Sequence, residues 1–123
     1  MFSWLNDRKN EVQSLSRNDL LNEGLYLAME WGEDWLKPIQ ERLAVRHPAL
    51  SKEDLDEINA ISQKAMRFGH GAVYDLALKS GDETSYGDFE PAMIAQYPWV
   101  DAKNLSRLFS QGMYYAWKDT GLR

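Results

Sequence analysis

The chain has 123 residues, 44% apolar and 27% charged, with a net charge of −5, no cysteine, five tryptophans and six tyrosines. It is long enough to bury one core without metal or disulfide staples and too apolar for a disordered chain. Lack of cysteine excludes disulfides, thiolate nucleophiles and thiolate metal sites. An acidic balance without a basic stripe disfavours the nucleic-acid backbone as a partner.

The N-terminal stretch MFSWLNDRKN holds no apolar signal segment, and no run approaches the roughly 18 apolar residues of a membrane span. The expectation is a soluble, cytoplasmic protein with no membrane partner. Phe2, Leu5, Val12 and Leu15 fall at helical spacing, diluted by Asn6 and Asn10. Residues 1–15 therefore read as a short packing helix or a loosely ordered arm.

Asp19 to Gln40, DLLNEGLYLAMEWGEDWLKPIQ, organises the rest of the chain. At about 100° per residue one side carries Leu20, Leu21, Gly24, Leu25, Leu27, Ala28, Met29, Trp31, Gly32, Trp35, Leu36 and Ile39. An arc that wide calls for more than one neighbour, so this stretch is expected to be the central helix. Ser16 or Asn18 can cap it, with Asp19 in the first turn. Pro38 predicts a kink or break near 35–37, with helix resuming to about Val45 and closing at His47-Pro48, an exposed turn.

Ser51 and Asp54 form a capping-box pattern, opening a second long helix from Lys52 to about Lys79. Ser62, Ala65, Gly69 and Ala72 make a strip of small residues along it, echoing Gly24, Ala28 and Gly32 on the central helix. Glycine costs about 0.5–1 kcal/mol inside a helix, so the strips predict close approach of two antiparallel backbones. Residues 80–87 read as a polar loop. Asp88 can cap a short helix from Phe89 to about Gln96, with Pro91 in its first turn. Asp101 caps a last helix from Ala102 to Asp119, with Gly121 as its stop. No stretch alternates long enough to make a strand. The fold expected for residues 1–123 is a single all-α domain: a compact bundle of four main helices, two of them long and antiparallel, plus a short and a C-terminal helix, and room for a fifth at the N-terminus.

Several side chains are candidates for function. Glu23, Glu30, Glu33 and Asp34 form an acidic face on the central helix. It suits a basic partner, and it equally suits a solvated surface. Carboxylate-bridged metal sites in bundles use Glu-x-x-His. Here Glu30 and Glu33 give Glu-x-x-Glu with no histidine nearby, so neither metal nor cofactor is expected. His70 sits at the edge of a buried face beside Asn59, Gln63 and Tyr74. It could serve a ligand, but no second catalytic group accompanies it, which favours a boundary histidine hydrogen-bonded to a neighbour. Trp31 and Trp35 lie one turn apart, Tyr114 points away from the inner face of the last helix and Trp117 sits at its edge. These aromatics fit an interface or a flat ligand as well as they fit a core. Residues 105–118 echo a helix-turn-helix, yet their pattern suits one uninterrupted helix with few base-reading side chains.

The leading expectation is a non-enzymatic protein-interaction module, with a different protein or a second copy as partner. The alternative is a small-molecule pocket lined by Trp31, Trp35, Tyr74 and His70. A nucleic-acid adaptor comes third.

Overall fold

The computed structural model of the protein describes residues 16–32, 34–35 and 37–121. Residues 1–15, expected as a helix or arm, lie outside the described residues. The fold is all-α. Among the described residues five α-helices follow one another: α1 (Arg17–Ala28), α2 (Gln40–Arg46), α3 (Lys52–Ser80), α4 (Tyr86–Gln96) and α5 (Ala102–Thr120), with one 3-10 turn at Gly81–Glu83. Among the described residues there is no strand and no helix long and apolar enough to cross a membrane.

Helix starts follow the caps written in the sequence. The Ser16 hydroxyl accepts from the Asp19 amide while the Asp19 carboxylate accepts from the Ser16 amide, both at 3.1 Å. Ser51 and Asp54 repeat this reciprocal pair before α3. The Asp101 carboxylate takes the Asn104 amide at 2.9 Å, and Gly121, at φ +75°, ends α5 in the left-handed region. At α4 the expectation needs correcting. Ser85 is the cap, accepting from the Asp88 amide at 3.3 Å, so the helix starts three residues before Phe89 and Pro91 falls in its second turn.

The larger correction is to the central helix. α1 stops at Ala28, well before Pro38, and the chain from Met29 to Ile39 is a connector leading to the short α2. Three features explain the early stop. Gly32 sits at φ +98°, outside any right-handed helix. Pro38 has no amide to offer and disfavours helix at the residue before it. The Leu27 carbonyl, near the end of α1, accepts from the Arg42 guanidinium at 2.7 Å and from the Glu30 amide at 3.3 Å, in place of the next α-helical bond. The first of the two long antiparallel helices is thus two shorter ones, and the wide apolar arc is shared between them. Leu20, Leu21, Leu25, Leu27 and Ala28 are buried from α1, and Ile39 and Leu43 from the start of α2.

The chain forms two compact units, Met1–Lys64 and Ala65–Arg123, with the boundary inside α3. In the first, Gly24 of α1 meets Ile58 and Ser62 of α3 and the Ile39 side chain. In the second, Gly69 of α3 meets Leu108 of α5, and Gly112 of α5 meets Val73 of α3. Small residues therefore mark close helix approach at Gly24, Gly69 and Gly112. Gly32 does not belong with them, because nothing lies within 4 Å of where its Cβ would stand. Phe89, Met93, Val100, Leu105 and Ala116 fill the second unit, where Tyr86, Phe89 and Phe109 pack ring against ring at 5.8–6.2 Å.

Candidate functional site

The connector in the first unit is held at both ends. Arg42 of α2 donates to four acceptors: the Leu27 carbonyl at 2.7 Å, the Glu30 carboxylate at 2.6 Å, and the Lys37 and Pro38 carbonyls at 3.2 and 3.3 Å. One planar guanidinium can do this because its donors form a rigid fork. Its charge also complements the carbonyl end of α1. From α3, the Asn59 side chain accepts the Ile39 amide at 3.1 Å and Gln63 donates to the Lys37 carbonyl at 3.3 Å. Loop ends drawn together by side chains are the mark of a compact surface loop of the kind that often carries function.

On this loop Trp31 and Trp35 stack, with ring centroids 4.4 Å apart and planes inclined by 28°. A backbone turn, the Trp35 amide donating to the Gly32 carbonyl at 3.0 Å, brings them together. Gly32, where that turn begins, sits at φ +98°, a conformation that favours glycine. Trp31 is 50% exposed and Trp35 half-buried.

The four acidic candidates do not share one situation. Glu23 pairs with Arg46 and with the His47 ring, the latter at 2.7 Å. His47 is therefore a half-buried partner of α1 rather than an exposed turn residue. Glu30 pairs with Arg42. Glu33 lies outside the described residues. Asp34, half-exposed, has no ion-pair partner among the described residues.

The remaining candidates belong to the second unit. The His70 ring nitrogen Nε2 donates to the Gln111 carbonyl oxygen at 2.9 Å, and the ring meets Tyr115 edge-on at 5.4 Å. Burial pushes His70 below the ordinary histidine range, and the hydrogen bond to Gln111 works in the opposite direction. Its partner is a buried side chain of α5, whereas Asn59 and Gln63 serve the connector. Tyr74 is half-buried. Tyr114 and Trp117 are 41% and 40% exposed, with ring centroids 6.3 Å apart. Residues 105–118 form part of one uninterrupted helix, without the break a helix-turn-helix needs.

Sequence reasoning did not find Arg42, Arg46 or Gln111. The available signal was the pair of arginines at 42 and 46, i and i+4, following a segment that carries Glu23, Glu30 and Glu33. Among the described residues no three histidine, aspartate or glutamate side chains are grouped to hold a metal ion. Compared with known protein families, characterised proteins and solved structures, the chain matches none.

Proposed function

We propose that the protein is a non-enzymatic protein-interaction module. The observation that carries this reading is the Tyr114–Trp117 pair on α5. The buried face of that helix is carried by Leu105, Leu108, Gly112 and Ala116, while these two rings stand partly exposed. Tyrosine and tryptophan supply large, stiff contact area and dominate binding energy where a partner covers them. Trp31, half exposed on its loop, adds to the same reading. The acidic face contributes less than the aromatics, because Glu23 and Glu30 already have cations of their own. The partner is another protein, a second copy of the chain included. The small-molecule alternative draws on Trp31 and Trp35 from the first unit and His70 and Tyr74 from the second, and no specific observation favours it.

The test places the photoreactive analogue benzoyl-phenylalanine at position 114, or at exposed position 90 of α4 as a control, in the native cells. A discrete protein adduct from position 114 that is missing from position 90 is expected. No adduct, or the same adducts from both positions, would contradict the reading.

A further inference from the structure

The Trp31–Trp35 loop combines three properties that together select one kind of occupant. The first is an aromatic platform, two indoles stacked at 4.4 Å with half of the Trp31 surface in solvent. Indole faces carry negative electrostatic potential and attract cations more strongly than any other side-chain ring. The second is charge. Glu30 is neutralised by Arg42, but Asp34, between the two tryptophans in sequence, is half-exposed and has no ion-pair partner among the described residues. Glu33 precedes Asp34 in sequence and Lys37 is the one base from Met29 to Ile39, so the segment is acidic in composition. The third is preorganisation. Arg42, Asn59 and Gln63 fix the ends of the connector, so a ligand does not have to order those ends.

A planar cation has a face that suits an indole and an edge that suits a carboxylate. A guanidinium stacks on an indole while its edge donates to an acid, a geometry that an ammonium group matches less well. An anionic membrane surface is repelled by the same carboxylates. We infer that the Trp31–Trp35 pair and the Asp34 carboxylate receive an arginine side chain from a basic segment of the protein partner. This rests on the interaction reading above but uses a different surface from Tyr114 and Trp117, so the two fail separately.

The test follows the tryptophan indole N–H signals by NMR, with Trp31 and Trp35 assigned from single phenylalanine variants. The intact chain is titrated with an acetylated, amidated Gly-Arg-Gly-Arg-Gly peptide and with the same peptide carrying citrulline, which keeps the planar shape and removes the charge. The arginine peptide shifts the Trp31 and Trp35 signals and binds more weakly as salt is added, while the citrulline peptide leaves them unmoved. Trp31→Ala weakens binding about five- to thirtyfold. Asp34→Asn, which preserves volume and so preserves folding, also weakens it. The inference is overturned by any of four results: no shift at millimolar arginine peptide, equal shifts with citrulline, unchanged binding by Asp34→Asn, or preferential binding to phosphatidylcholine vesicles. If the peptide fails while position 114 still crosslinks a protein, only the arginine assignment is lost.

Discussion

A methyl group on Gly24 would stand 2.6 Å from the Ser62 hydroxyl oxygen and 2.7 Å from the Ile58 side chain. The approach of α1 to α3 therefore depends on there being no side chain at position 24. Gly24→Ala forces overpacking at a fully buried crossing and should cost about 1–3 kcal/mol. Thermal unfolding with a lowered midpoint is expected; an unchanged midpoint would mean the crossing relaxes freely.

Ser62 itself is fully buried, and among the described residues its hydroxyl is the one buried side-chain polar atom without a hydrogen-bond partner. Leaving a buried hydroxyl unpaired costs about 1–3 kcal/mol. Ser62→Ala removes that penalty and leaves only a small gap, so stability should rise, by about 1 kcal/mol. The urea midpoint is the readout, and a fall would show that the hydroxyl is satisfied in solution.

Gly32 and Gly112 should respond differently to alanine. At Gly112 a Cβ would lie 2.6 Å from the Val73 Cβ, a stiff neighbour that cannot swing away, and the cost should be about 1–3 kcal/mol. At Gly32 there is no clash, only a backbone at φ +98°. The cost there is conformational strain of about 1–2 kcal/mol, and the Trp31–Trp35 stacking loosens with it. Near-ultraviolet circular dichroism separates the two: the tryptophan signal changes for Gly32→Ala and is retained for Gly112→Ala.

Arg42→Ala removes a donor from four acceptors, of which the Lys37 carbonyl keeps Gln63 and the Leu27 carbonyl keeps the Glu30 amide, and leaves Glu30 without its cation. A loss of about 2–3 kcal/mol is expected. Arg42→Lys should recover little, since an ammonium cannot span the fork. Amide hydrogen exchange should speed up for the Met29–Ile39 connector in both variants, and full protection in the lysine variant would contradict the pinning role.

His70 makes stability depend on pH. Its folded-state pKa lies below the usual 6.5 because burial disfavours the charged ring. The unfolded chain therefore takes up the proton first as pH falls. The His70 contribution is complete above the unfolded value and is lost as pH drops below it. Between pH 7.5 and 5.5 the urea midpoint should fall more for the intact protein than for His70→Gln. Parallel curves would mean His70 titrates normally.

Helix identity, most caps and most of the core could be read from residue pattern, because caps and apolar periodicity are local signals. Ser16, Ser51, Asp101 and Gly121 act where their neighbours in sequence say they should. The end of α1 could not be read this way. Its apolar arc continues smoothly through Trp31 and Trp35, and beside Gly32 and Pro38 the helix end is held by a guanidinium from a residue 15 positions beyond Leu27. The same long-range pairing consumed Glu23 and Glu30, which looked like a free acidic face when seen only along their own helix. His70 shows the limit from the other side. Its role as a boundary histidine was legible from the wheel, but its partner Gln111 lies 41 residues away, beyond the reach of any local pattern.

The central claim is that the exposed aromatics of α5 bind protein. It is tested most directly by comparing the proteins retained from native cell extract by the intact chain and by a folded Tyr114→Ser/Trp117→Ser chain, with the solution mass of each measured across a concentration series. The account predicts a specific retained protein, or a concentration-dependent rise in mass, that is present with the intact chain and lost from the double variant. Identical retained proteins and identical masses would contradict it.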